Sequence, residues 1–393
     1  MSMDRLARFI FPKELKLTGI ERLGNWGAKY FLDKEKITEY CPKCASPSNR
    51  IHDYRTVTIA DEPIRGQAVY LAVRKRRLWC KPCKKAFTEP VHKIPKGHRT
   101  TRSYKRGLAW AAENFVDLKR VRKNFRCSYR ALYKAVYENY EAKLKERTYP
   151  FPKYLGLDEH SIRKPKYGDV EFASVIVDHS NRRVFDLVDG KTIDALEVAT
   201  SHIPGKENVK AVSIDLSEVY RSFVKRNFTN ASIVADRFHV QRLFTKAVNK
   251  FRMKVTGDDR KNPIRKLLLR NSDKLEWYER RAIKEWLKAY PETREVYEVK
   301  EAVHRLYKTK GYRNARHAFL KLCDKMGYSK IAKLRSLRKV LLRWQKEILE
   351  FFRIRISNGR VEGYNRKAKL VQRRAYGYRS FKNYRLSFLN ACM

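Results

Sequence analysis

KYLGLDEHSIR (residues 153–163), DVEFASVIVDHS (169–180) and RRVFDLVDG (182–190) follow one another with short polar connections. Each has β-branched or aromatic residues at its centre, the composition of a strand. Next come TIDALEVATSHI (192–203), which reads as a helix, and KAVSIDLS (210–217), which reads as a strand. EVYRSFVKRNF (218–228) is again helical, and ASIVADRF (231–238) is again strand-like. The order is β-β-β-α-β-α-β. A meander that leads into alternating units predicts an α/β domain, a mixed sheet with helices packed on it.

Outward from that stretch the pattern changes on both sides. From His239 to about residue 350 the text is charged, helical and free of strand patterns, which predicts a helical insertion at about 245–350. The last helix is expected to begin near Asn358 or Gly359, in SNGRVEGYNRKAKLVQRRA (357–375). On the other side, Pro150 and Pro152 in RTYPFPKY mark a boundary, so the α/β domain is assigned to 149–393. Within 99–148, apolar residues recur at Leu108, Ala111, Ala112, Phe115 and Val116, then Leu118, Val121 and Phe125. A second helix, SYRALYKAVYENYEAKL, starts at Ser128 as N-cap. Two helices joined by a polar turn read as a helix-turn-helix, a pattern that any three-helix bundle also gives.

Residues 1–98 hold a lead segment and two Cys-x-x-Cys turns, CPKC (Cys41, Cys44) and CKPC (Cys80, Cys83). Each turn sets two thiolates on one side of a tight loop, and two turns complete a closed tetrahedral zinc site. The spacer, YRTVTIA then AVYLAVRKRRLWC, reads as a hairpin that returns the second pair to the first. Two redox dithiols are the alternative. Seven of the twelve residues 74–85 are basic, among them Arg74, Arg76 and Arg77, which suits contact with phosphates.

The chain has 393 residues, with 90 Lys+Arg against 42 Asp+Glu and a formal charge of +48. Such a field repels itself and calls for a polyanion, so double-stranded nucleic acid is the first partner to consider. No apolar run is long enough to span a membrane. The N-terminus, MSMDRLARFIFPKEL, has charges inside its apolar stretch, unlike a secretory signal. An extracellular disulfide protein is thereby disfavoured.

In so basic a chain the remaining acids are informative. Asp158 ends the strand YLGLD and Asp215 ends AVSID. Glu362 is the only acid among eleven Lys and Arg residues between Arg353 and Arg385. Two carboxylates at strand ends and a third from a helix can bind hard divalent cations, Mg²⁺ or Mn²⁺, for phosphodiester chemistry. Bland roles compete: a turn former beside Glu159 for Asp158, a helix cap for Asp215, a salt bridge for Glu362. YGYRSF (376–381) suits either base stacking or a docking strand.

The motifs CPKC…CKPC, GLDEHSIRK, SIDLSEVY, ADRFHV and SNGRVEGYNRKAKLVQRRAYGYRSF together resemble the ISL-three family of insertion-sequence transposases over nearly the whole length. The chain is compact for that group, mainly in its insertion. The resemblance implies a ribonuclease-H-like core preceded by a zinc-binding finger and a helix-turn-helix. It implies an Asp-Asp-Glu triad: Asp158, Glu362, and Asp215 with Asp236 as rival. Asp236 and His239 then brace the site or position a nucleotide; a partly buried helix-start histidine is the plainer reading. Asn365, Arg366, Lys369 and Arg373 follow Glu362 at helical spacing and are expected to contact phosphate. The implied function is cleavage at terminal inverted repeats and strand transfer, with Mg²⁺ (or Mn²⁺) and structural Zn²⁺. The implied setting is cytoplasmic and nucleoid-associated, with two element ends held by a homodimer or larger assembly. A zinc-dependent DNA-binding regulator with an inert catalytic fold, or a structure-selective nuclease, shares many of these features.

Overall fold

The computed structural model describes residues 11, 14–35, 37–92, 94, 97–114, 117–145, 149–163, 171–257 and 260–392. Residues 1–10, where charges argue against a secretory signal, lie outside the described residues, as do Phe115 and Val116. The chain divides into two compact units, residues 1–146 and 147–393.

The first unit begins with β1 (Leu15–Arg22), β2 (Gly27–Lys34), β3 (Glu39–Tyr40) and β4 (Pro47–Ser48). β5 (Ile51–Ile64), β6 (Gln67–Cys80) and β7 (Lys85–Thr88) follow. The sheet order is β1-β2-β6-β5, with β7 on β6. β5 and β6 form the long hairpin expected of the cysteine spacer. Its tip is Arg65–Gly66, with φ of 51° and 76°, the left-handed pair that matches the twist of a two-residue hairpin. Leu32, Ile59, Leu71 and Val73 form the core of this unit. β1 and β2 were not expected; their side chains are mostly exposed or half-buried, and such strands carry little apolar signal.

Three helices follow: α1 (Arg102–Asn114), α2 (Leu118–Asn124) and α3 (Tyr129–Lys145). The first helical pattern is thus broken in two. Asp117 restarts the helix by accepting from the amides of Lys119 and Arg120 at 2.9 and 3.2 Å. Ser128 caps α3, its hydroxyl accepting from the Ala131 amide at 3.2 Å. Tyr104 of α1 donates its hydroxyl to the Phe125 carbonyl at 2.8 Å, fixing the turn before α3.

The second unit has β8 (Tyr154–Arg163), β9 (Glu171–Asp178), β10 (Arg183–Asp189), α4 (Ile193–Thr200), β11 (Ala211–Ile214), α5 (Glu218–Asn227) and β12 (Ser232–Ala235). This is the element order read from the sequence. The sheet order is β10-β9-β8-β11-β12. β10, β9 and β8 are antiparallel neighbours, whereas β8, β11 and β12 run parallel. All four residues of β11 are buried, as a central parallel strand requires.

Helices α6 (Arg237–Thr256), α7 (Pro263–Leu269), α8 (Trp277–Lys288), α9 (Pro291–Leu306), α10 (Tyr312–Gly327), α11 (Ala332–Arg343) and α12 (Gln345–Ile354) follow. One hydrophobic core runs from Leu157, Val212 and Val234 of the sheet into Val299, Phe319, Leu334 and Ile348 of these helices. α13 (Gly359–Arg374) starts where expected and packs on β8 and β9. It is not the last helix: α14 (Phe381–Ala391) follows and packs on β10. YGYRSF is the bend between the two, with Tyr376 at φ 53°, so its docking-strand reading is set aside.

β8 and α13 approach closely at Gly156. A Cβ there would lie 2.6 Å from His179 Nε2 and 2.8 Å from Val361 Cγ2. Gly156→Ala is expected to cost about 1–3 kcal/mol by overpacking. Urea denaturation of the variant should show a lower midpoint; an unchanged midpoint would mean that the helix is not seated there.

Candidate functional site

In the first unit, the β3–β4 turn holds Cys41 and Cys44, and the β6–β7 turn holds Cys80 and Cys83. Ala45 and Lys84, each just after the second cysteine of its turn, have φ of 57° and 50°. Their left-handed backbone closes both turns around the thiols. The four Sγ atoms all lie within 4.8 Å of one another; Cys44–Cys80 is 3.4 Å and Cys41–Cys83 is 4.0 Å. Tetrahedral zinc with four thiolates spaces its sulfurs by about 3.8 Å, so the set fits. The Ser46 hydroxyl and amide hold Cys44 down at about 6, whereas the neighbouring Cys44 and burial push Cys83 up to about 12. Four thiols this close do not ionise together without a cation among them.

Among the basic residues expected to face phosphate, Arg74 is exposed and stacks on Tyr54, and Arg77 pairs with Asp53 at 2.8 Å. Arg76 is corrected to a structural cation. It is buried, it pairs with Glu89 at 2.7 Å, and it donates to the Ile37 carbonyl at 3.1 Å.

In the second unit the sheet register organises the acids. Gly156 of β8 is level with Ser213 of β11, and Ser213 is level with Val234 of β12. Two positions further along stand Asp158, Asp215 and Asp236, in one rank: Asp215 and Asp236 just past the carboxyl ends of β11 and β12, and Asp158 midway along β8, which continues to Arg163 and does not end at this acid as the apolar run suggested. Ligand sites open at such strand ends.

The rank is divided by its partners. Asp158 accepts from the Glu159 amide and from Asn365 Nδ2, both at 2.9 Å. Asp215 accepts from the Ser217 amide at 3.0 Å, while Ser217 itself caps α5. Asp236 is 1% exposed. One of its oxygens accepts from the Asn358 amide at 3.0 Å, and the other faces His239 Nδ1 at 3.2 Å. Asp158, Asp215 and His239 each turn a ligand atom inward, all within 4.8 Å of one another. A six-coordinate ion with oxygen bonds near 2.1 Å holds its donors roughly 3 to 4.2 Å apart, so this group can share one divalent cation. Asn365 Oδ1 adds a buried acceptor with no partner among the described residues.

Burial pushes Asp158 up to about 6, although the charge of His239 opposes it. Asp215 also stands at about 6, raised by burial and by the charge of Asp158. Burial alone would lower His239, but the Asp236 hydrogen bond and the three aspartates outweigh it and raise its value.

Glu362 lies in the first turn of α13, with a side chain 43% exposed and paired with Arg366 at 2.8 Å. It stands outside the Asp158–Asp215–His239 group, one helical turn before Asn365, which touches Asp158. Glu159 turns away to Lys191 at 3.4 Å. Lys369 and Arg373 are exposed. Burial first, and the Lys369 charge second, hold His160 down at about 4.

Sequence reading missed the frame behind the site. Ser213 donates its hydroxyl to Asn358 Oδ1 and lies 2.9 Å from His179 Nε2. Asn358 Nδ2 donates to the Leu157 carbonyl at 2.8 Å, and Arg360 donates to the His179 carbonyl at 2.6 Å. The available signal was Ser213, a hydroxyl in the apolar run AVSI.

Comparison with known proteins gives the family of the chain. A transposase family profile, that of the ISL3 group, matches residues 155–388. The chain belongs to the ISL3 transposase family. Residues 38–83 match the zinc finger of the transposases of IS204, IS1001, IS1096 and IS1165. The chain is 26% identical over 353 residues to the "Transposase for insertion sequence element IS1001" of Bordetella parapertussis, covering 86% of this chain and 85% of that one. The family match embraces Asp158, Asp215, His239 and Glu362, and the finger match ends on Cys83. Among the described residues no helix is long and apolar enough to cross a membrane.

Each centre has a testable consequence. Removing zinc with a chelator should abolish amide protection across 38–88 and leave the sheet of the second unit protected. Protection that survives at the knuckles without zinc would refute the four-thiolate site. The second concerns Asp158. Its value rises from 3.8 unfolded to about 6 folded, so its cost is absent below the former and fully felt above the latter. Asp158→Asn should therefore raise the melting midpoint at pH 7.5 in metal-free buffer by about 5 °C, with little change near pH 4. A lower midpoint at pH 7.5 would show that the carboxylate stabilises the fold.

Proposed function

We propose that this transposase cuts DNA at the ends of its element and joins them to a target by cation-dependent phosphoryl transfer on a ribonuclease-H-like core. The observation that carries the reading is the parallel register of β8 and β11, which sets Asp158, midway along β8, beside Asp215, just past the end of β11. Asp158, Asp215 and Glu362 hold the Mg²⁺ or Mn²⁺ in this reading. When bound, the cations lower the cost of forming an oxygen nucleophile and neutralise charge on the scissile phosphate.

The chain's own residues supply the rest. Asn365 fixes the carboxylate of Asp158 through its amide, so that one oxygen stays turned to the site. Glu362 joins when Arg366 exchanges it for a DNA phosphate, which trades one ion pair for another. Lys369 and Arg373, further along α13, meet the next phosphates. The first stage frees a 3′-hydroxyl by hydrolysis, and the second uses that hydroxyl against a target strand. No protein side chain bonds covalently to DNA. The zinc finger and the helices α1–α3 recognise the terminal repeat, and two copies of the chain hold two ends together.

The test is cleavage of a duplex carrying the element's end, with Mg²⁺ or Mn²⁺ present. Wild type should nick and join; Asp158→Asn and Glu362→Gln should each lose at least about 10³-fold in rate, while end binding changes little. A wild type that binds the end but neither nicks nor joins would leave only a zinc-dependent DNA-binding regulator, and variants that cut as well as wild type would overturn the role given to these acids.

A further inference from the structure

His239 lies in the cation group, yet the acidic triad has no use for an imidazole. Its two ring nitrogens face different surroundings. Nδ1 lies 3.2 Å from Asp236 Oδ2. The other oxygen of Asp236 is taken by the Asn358 amide, and the side chain is 2% exposed. Asp236 is therefore fixed as an acceptor, and the proton of the neutral ring belongs on Nδ1. Nε2 is left with its lone pair, 4.0 Å from Asp158 Oδ1. That is too long for a hydrogen bond. It is the spacing of two donors on opposite sides of a shared ion, roughly 4.2 Å.

The orientation matches a recurring construction. A histidine that binds metal through one nitrogen gives its other N–H to a carboxylate, which fixes the ring and strengthens the donor. The cluster supplies both halves: Asp236 behind the ring, and Asp158 and Asp215 in front of it. All three front atoms lie within 4.8 Å of one another. Beside Asp158, Asn365 Oδ1 is a further buried acceptor with no partner among the described residues.

Resting on the catalytic reading above, we infer that His239 is a direct nitrogen ligand of the catalytic cation, with Asp236 as the residue that positions it. The site then differs from one built of oxygen alone. Imidazole adds little for Mg²⁺, which prefers carboxylates and water, and more for first-row transition cations. The expected consequence is a site that takes Mn²⁺ more tightly than Mg²⁺, with His239 as the source of the difference.

Mn²⁺ alone, without DNA, is the probe, added to the full-length chain with its zinc site filled. Pulsed electron paramagnetic resonance should detect one directly bound ¹⁴N in wild type. Growth on ¹⁵N-histidine should convert that signal to the ¹⁵N frequency, a test that needs no variant. His239→Gln should lose the nitrogen signal and weaken Mn²⁺ by about tenfold, while Mg²⁺ weakens much less. Asp236→Asn, if circular dichroism shows it folded, should weaken Mn²⁺ by about ten- to a hundredfold and broaden the nitrogen coupling as the ring loses its fixed orientation. An unchanged coupling in that variant would overturn the positioning role of Asp236. Mn²⁺ bound by wild type without nitrogen coupling would overturn the inference and leave the cleavage reading standing. Failure of the folded protein to bind Mn²⁺ at all would overturn both.

Discussion

Mutual repulsion between two largely buried carboxylates is the constraint around which the second unit is built. Asp158 and Asp215 are forced together by strand register, not by attraction. Left in water they would separate, and both resist ionisation where they stand. The surroundings tolerate this arrangement because every neighbouring element supplies an opposing donor. Asn365 reaches Asp158 from α13, the Ser217 amide reaches Asp215 from the start of α5, and His239 faces both from α6. The sheet makes the conflict and three helices contain it.

The second carboxylate pairing is of the opposite kind. Asp236 stands in the same rank but is wholly enclosed, with both oxygens engaged by donors. It ties the start of α13 to the end of β12, across the whole helical insertion. Asn358 extends the tie to β8 through the Leu157 carbonyl, and Ser213 extends it to β11. A polar network this deep is stable because its members are satisfied; a single unmatched group would cost more than the network contributes. Residues distant along the chain are thereby held in one geometry before any ligand arrives.

Much of this was legible in the chain itself. An acid that closes an apolar run in a strongly basic protein stands out, and Asp158 and Asp215 were visible on that ground, as the four cysteines were by their paired Cys-x-x-Cys spacing. Strand order was legible because the segments 154–163, 171–178 and 183–189 are apolar at their centres. Register was not, since it depends on pairing between segments that carry no mark of their partner. Arg76 shows the same limit: within RKRR nothing tells an inward arginine from an outward one until Glu89 is placed against it. His239 could be placed beside the acids, but the direction of its two nitrogens is a tertiary fact. The broken helix at Asp117 turned on a single cap within an otherwise continuous pattern.

The unbroken core beneath the sheet also bears on how such a gene can shorten. Since Val234 and Val212 share one apolar interior with Phe319, Leu334 and Ile348, residues 237–354 are a floor and not an ornament. An in-frame deletion there would not leave a trimmed enzyme. It would strip the underside of the strands bare, and the product would be sorted to aggregation or proteolysis before its chemistry could matter.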